Sequence, residues 1–236
     1  INCILTLYIY NVNVLYNLIH LIYIYFIFLG GRMKKLHILL LVIVITALCI
    51  SAINPYEKLT WLLEVAPAII GILILGATYK KFKFTNLTYT LIAVEMLILI
   101  IGGHYTYAKV PLFDILKDEL GLSRNYYDRI GHLAQGFIPA MIIREILIRF
   151  NIVNGRKWIQ FIVISLCLAL SATYELLEFA VAKAIGQSAE AFLGTQGDVW
   201  DTQWDMLCAF IGASLSVYLL SKRQDKEIIS IEKVGE

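Results

Sequence analysis

Leu59 to Tyr79 reads LTWLLEVAPAIIGILILGATY, an apolar block whose only charge is Glu64, and Lys80-Lys81-Phe82-Lys83 follows at once. About 20 apolar residues in a helix cross the hydrocarbon core of a bilayer. A basic cluster at one end of such a block marks the side that stays in the cytoplasm. The same pattern recurs at about 36–53, 87–103, 129–150, 158–180 and 204–221. Over all 236 residues, 59% are hydrophobic and 16% are charged, whereas a soluble domain carries roughly 25% charged residues. An ordinary water-soluble enzyme is excluded. The formal net charge of +2 gives no reason to expect a nucleic-acid partner. The sequence predicts an all-α, polytopic transmembrane helix bundle of six spans, embedded in a lipid bilayer.

The basic residues orient it. Lys34-Lys35, Lys80-Lys81-Lys83, Arg149 with Arg156-Lys157, and Lys222-Arg223 with Lys226 fall in alternate connections. All four clusters agree on one topology, with Met33 and the C-terminus on the cytoplasmic side of a multi-pass membrane protein. The expected units are a six-span domain over 33–222 and a polar, disordered cytoplasmic tail over 223–236. Between the third and fourth blocks, Pro111 is placed to start a short helix and Gly121 to end it. Its apolar face of Leu112, Phe113, Ile115, Leu116 and Leu120 suits either the membrane surface or the top of the bundle. Cys3, Cys49, Cys167 and Cys208 lie singly in apolar runs and read as packing residues. Cys208, Gly212 and Ser216 form a small-residue stripe that lets another helix approach.

Acidic residues are unevenly shared in this topology. Twelve of the eighteen, from Glu57 and Glu64 to Glu190 and Asp205, fall on the outer side or in the outer half of a span. Charges at such positions are costly unless they meet partners or water inside the bundle. Three segments concentrate them. In Tyr127-Asp128-Arg129-Ile130-Gly131-His132-Leu133-Ala134-Gln135-Gly136, helical spacing puts Asp128, His132 and Gln135 on one face. There Asp128 is placed to fix the tautomer of His132 and leave its other nitrogen for a proton or a metal. A helix cap beside a satisfied interfacial histidine is the competing reading. In Tyr174-Glu175-Leu176-Leu177-Glu178, two carboxylates one turn apart either share a cation or hold a proton between them, unless Glu178 simply reaches the interface. In Gly197-Asp198-Val199-Trp200-Asp201-Thr202-Gln203-Trp204-Asp205, a helical lead-in to the last span aligns Asp198, Asp201 and Asp205. The first two also suit a helix N-terminus as caps. Glu64 and His104 are candidates to join this group, Glu95 sits nearer the midplane, and Glu145 reads as an internal pair with its neighbour Arg144.

These three segments, with the blocks around them, resemble the YjdF-like family of bacterial inner-membrane proteins over about residues 35–222. That family is uncharacterised, so the resemblance implies a multi-span membrane location and no particular activity. More distantly, Asp128, His132, Glu175 and Asp205 followed by Ala209 and Gly212-Ala213 are similar to the pattern of VanZ-like membrane proteins.

Three functions fit. In the first, Asp128, His132, Glu175 and Asp205 bind a divalent metal that acts on an envelope or lipid-linked substrate. Oxygen ligands plus one imidazole suit Mg²⁺ or Mn²⁺, with Zn²⁺ as an alternative. In the second, the same groups serve an ion- or proton-coupled transporter. In the third, they only lock the helices of a structural or accessory protein. The absence of HExxH and GxSxG patterns removes support for protease or serine-esterase chemistry.

Residues 1–32 stand apart. They carry no charge before Arg32, lack Ala, Pro, Asp, Glu and Lys, and are rich in Ile, Leu, Asn, Tyr and Phe, whose codons are AT-rich. Gly30-Gly31 can be encoded as a ribosome-binding sequence just ahead of Met33-Lys34-Lys35. The expectation is a translated upstream region, with natural synthesis starting at Met33; an extra apolar helix is the alternative. Mass spectrometry of the protein from its own cells is predicted to find no peptide spanning Tyr23–Arg32. Finding one contradicts the upstream-region reading.

Overall fold

A computed structural model of the protein describes residues 33–185 and 195–235. The segment 1–32, Glu190 and Gly194 lie outside the described residues. The described residues form α1 (Lys35–Ser51), α2 (Lys58–Thr78), α3 (Asn86–Tyr105), α4 (Pro111–Leu120), α5 (Tyr127–Arg149), α6 (Arg156–Ile185) and α7 (Asp201–Gly235), with no strand among them. By length and composition, α2, α3, α6 and α7 can cross a membrane. Helix α1 is apolar but has 17 residues, about 25 Å at ~1.5 Å per residue. Helix α5 has 23 residues and carries Asp128, Arg129, Arg144, Glu145 and Arg149, which lower its hydropathy. Each of the six expected apolar blocks therefore forms a helix, and four of the six are span-like by composition.

Local chemistry sets the helix ends. Glu57 caps α2, accepting from the backbone N–H of Thr60 at 2.5 Å and of Leu59 at 3.1 Å. The Thr60 bond, chiefly, holds its carboxyl below the usual range. Thr85 caps α3 through the N–H of Thr88 at 3.2 Å, and Thr106 ends that helix in the left-handed region with φ 56°. Pro111 opens α4 and Gly121, at φ 62°, closes it, as their residue types predict. No residue of α4 is buried, and Leu112, Ile115 and Leu120 each expose 60% or more.

The long helices alternate in direction. At one end of the bundle, the imidazole of His104 bonds the Ser51 carbonyl at 2.8 Å, and the Trp61 indole donates to the Ser51 hydroxyl at 3.0 Å. At the other end, His37 bridges the Tyr79 hydroxyl at 2.8 Å and Asn86 Oδ1 at 3.0 Å. Helices α1 and α2 both pack on α3, and α5, α6 and α7 form a second group joined to the first through α3 and α5. The closest crossing is between α5 and α7. A Cβ at Gly136 would collide with the Ala209 backbone, and one at Gly212 with the Leu133 carbonyl. The small-residue stripe of α7 thus does the packing expected of it: Gly212 and Ser216 are buried, with Ala209 and Ala213 completing the contact.

Two expectations are corrected at the basic end. Glu145 does not pair with Arg144, because adjacent helical side chains point about 100° apart. Glu145 instead accepts from the Thr85 N–H and hydroxyl at 2.8 Å each, the Thr88 hydroxyl at 2.6 Å and Arg149 at 3.1 Å. Arg144 reaches α7, donating to Gln224 at 2.8 Å and Asp225 at 2.5 Å. The chain beyond Arg223 is accordingly not a disordered tail. It continues α7, with Gln224 and Ile228 buried and Glu227 accepting from the Leu87 N–H at 2.9 Å.

Gly136→Ala is predicted to destabilise the protein by about 2–3 kcal/mol, since neither backbone can yield without moving a helix. Gly71→Ala, whose Cβ meets only the Met96 terminal methyl at 2.9 Å, is expected to cost much less. Thermal unfolding in detergent measures both.

Candidate functional site

The helix directions bring the start of α5, the end of α6 and the start of α7 together. Five carboxylates meet there: Asp128 from α5, Glu175 from α6, Asp201 and Asp205 from α7, and Asp198 from the turn before it. Asp128, Glu175, Asp201 and Asp205 are each less than 9% exposed. The lead-in to α7 is not helical as far back as Asp198. Gln196 at φ 48° and Gly197 at φ 85° form a turn, and Asp198 Oδ1 caps the Trp200 N–H at 2.9 Å. That turn is pinned to the loop before α5 by Gln196, whose side chain accepts from the Asn125 N–H and donates to its carbonyl, both at 2.9 Å.

Two arginines organise the carboxylates. Arg129 forks onto α7, donating to Asp205 through one nitrogen and to Asp201 at 2.5 Å and Asp198 at 3.2 Å through the other. Arg124 donates to Asp201 and, at 3.3 Å, to Asp128. Neither arginine is among the site residues expected from sequence, although Arg124 stands four residues before Asp128 and Arg129 is a charge in the first turn of an apolar helix. Both signals were available.

His132 lies just below this clamp and is buried. Its Nδ1 faces the Gln135 side-chain oxygen at 3.0 Å. Gln135, and not Asp128 as the spacing suggested, is the group that orients the ring. Its Nε2 faces Asp128 Oδ1, Glu175 Oε1 and Asp205 Oδ1, each at 3.7 Å. Asp128, His132 and Asp205 each offer a ligand atom within 4.8 Å of the others. Glu175 Oε1 is buried and has no hydrogen-bond partner. An acceptor nitrogen surrounded by three anionic oxygens is repulsive unless a proton or a cation lies between them.

Other expected members are placed as follows. Glu178 is buried and lines an adjoining cavity together with Glu64, Glu95 and Gln135. Glu64 accepts from the Tyr174 hydroxyl at 3.1 Å, which ties α2 to α6. His104 does not join, being held on Ser51. Asp198 and Asp201 belong to the arginines and not to the imidazole.

A bundle of apolar helices enclosing a histidine and several carboxylates defines a class of integral membrane protein. Residues 36–226 match the family described as "Predicted membrane protein (DUF2238)", and the chain belongs to that family. The chain is also 51% identical over 172 residues to "Inner membrane protein YjdF" of Escherichia coli (strain K12), a match covering 73% of this chain and 82% of the relative. No solved structure matches. Nothing in these matches supports the more distant likeness to VanZ-like proteins.

Arg129→Ala is predicted to destabilise the protein by about 3–5 kcal/mol, because it strands buried carboxylates on another helix. Arg129→Lys is expected to recover only part of that loss, since an ammonium cannot span two carboxylates as a fork does. Unfolding in detergent, compared with wild type, checks both.

Proposed function

We propose that the protein is a six-span inner-membrane protein that binds a divalent cation through Asp128, His132, Glu175 and Asp205, near the outer face of the bilayer. The observation that carries the reading is the equal spacing of three carboxylate oxygens from one imidazole nitrogen, 3.7 Å in each case. Donors placed ~2.2 Å from a tetrahedral centre lie about 3.6 Å apart, which the three nitrogen–oxygen distances match, while Asp128, His132 and Asp205 form the mutually close set and Glu175 is the outlying fourth donor. Gln135 on Nδ1 is the outer partner that a metal-bound histidine ordinarily has. Charge supports the same reading. Five carboxylates face two guanidinium groups in this layer, and a divalent cation reduces the excess. Bound there, it would polarise a phosphate or activate water toward an envelope or lipid-linked substrate entering from the outer side.

Orientation rests on the basic clusters, which collect at the end of the bundle opposite His132. Residues 33–222 then form the membrane domain, and 223–235 extend its last helix into the cytoplasm. The arginine forks favour a second reading, in which the layer only locks α5 to α7. The two readings differ in whether a cation is held.

Elemental analysis of purified protein loaded with Mg²⁺, Mn²⁺ or Zn²⁺ and then desalted is predicted to find about one equivalent per chain, lost in His132→Ala and in Asp205→Asn. A folded wild-type protein that retains no metal overturns the metal reading and leaves the lock. Single cysteines at positions 123 and 226 are predicted to react with an impermeant maleimide from the periplasmic side and only after permeabilisation, respectively.

A further inference from the structure

A cavity of about 280 Å³ runs from His132 into the bundle, between α2, α3, α5 and α6. Its walls contain Pro67 in α2 and Pro139 in α5. A proline inside a helix removes one N–H and pushes away the carbonyl four residues earlier, so facing walls cannot close as regular helices would.

Its lining has a distinctive charge. Glu64, Asp128 and Glu178 line it near His132 and Glu95 lies further along α3, while no lysine or arginine lines it among the described residues. His132 is the only other ionisable group there besides Tyr107 and Tyr174. Glu64 lies beside Gly103 of α3, since a Cβ on that glycine would sit 2.9 Å from its Cβ. Glu95 is two helical turns deeper on the same helix, about 12 Å at ~1.5 Å per residue. Leu99 lies between these two levels on α3, and Ala68 and Met96 line the same wall region. Glu95 Oε2 is buried and accepts no hydrogen bond. Two levels of carboxyl group with apolar wall between them match a ligand with two cationic ends and a methylene body. An anionic headgroup would meet four carboxyl groups and no counter-charge other than His132.

We propose that this cavity binds an aliphatic diamine or polyamine, with one ammonium among Glu64, Asp128 and Glu178, the other on Glu95, and the chain against Leu99. Asp128 is shared with the candidate metal ligands, whereas Glu95 and Leu99 are not, so a metal and an ammonium compete at one end of the cavity only.

Calorimetry on the full chain in detergent, after EDTA treatment, tests it with octamethylenediamine as the probe. Saturable binding is expected, weakened about tenfold or more in Glu95→Gln. Octylamine, with one ammonium, is expected to be affected far less by that substitution, and octanediol is expected not to bind. Leu99→Trp, which fills the cavity without altering charge, is expected to abolish diamine binding if Glu95→Gln does not fold. The proposal is overturned by the absence of saturable diamine binding, by equal binding of octanediol, or by diamine binding that a folded Glu95→Gln or Leu99→Trp protein leaves unchanged. Because EDTA strips any metal first, failure here leaves the metal reading standing, and failure of the metal reading leaves this one.

Discussion

The fork of Arg129 onto Asp198, Asp201 and Asp205 is the interaction on which the rest of this end of the molecule depends. A charge within a transmembrane helix costs roughly 2.5–3.5 kcal/mol on a translocon scale. In this layer α5 and α7 each supply what neutralises the other's charges. Once Arg129 fixes the two helix starts, Asp205 stands beside His132, and Glu175 approaches from α6 with an oxygen that no other group satisfies. The Gly136–Ala209 and Leu133–Gly212 approaches lie just below and hold the two backbones at the distance this requires. Steric closeness and charge pairing are therefore one device.

The other end of the bundle repeats the solution with different groups. Glu145 gathers Thr85, Thr88 and Arg149, while Arg144 and Gln224 tie α5 to α7. That layer is saturated with hydrogen bonds. The His132 layer is not: its imidazole nitrogen faces three oxygens at a distance too long for direct bonds and suited to a shared cation. This contrast separates a polar layer that only fastens helices from one with capacity left for a ligand.

Much of this was legible from residue order. Apolar block length located every long helix, Pro111 and Gly121 bounded the short one, and the spacing of Asp128, His132 and Gln135 placed three groups on one face. What failed did so for a physical reason. Adjacency suggested an Arg144–Glu145 pair, yet neighbours on a helix diverge and each found a partner on another helix. The polarity of residues 223–236 suggested a free tail, but Gln224 and Ile228 are buried where α7 continues along the bundle. The fork of Arg129 leaves no periodic trace in either helix, and its charge in the first turn of an apolar helix was the one available pointer to it. Gln135 was placed on the correct face, but which group takes Nδ1 depends on side-chain reach and not on spacing.

The central claim is that His132 Nε2 and its three carboxylates hold one cation. Pulsed electron paramagnetic resonance of the Mn²⁺-loaded protein, with histidine uniformly labelled with ¹⁵N, tests it most directly. The account predicts hyperfine coupling from one directly bound imidazole nitrogen, absent in His132→Ala. Tightly bound Mn²⁺ without nitrogen coupling, or a folded protein that binds no Mn²⁺, would contradict it.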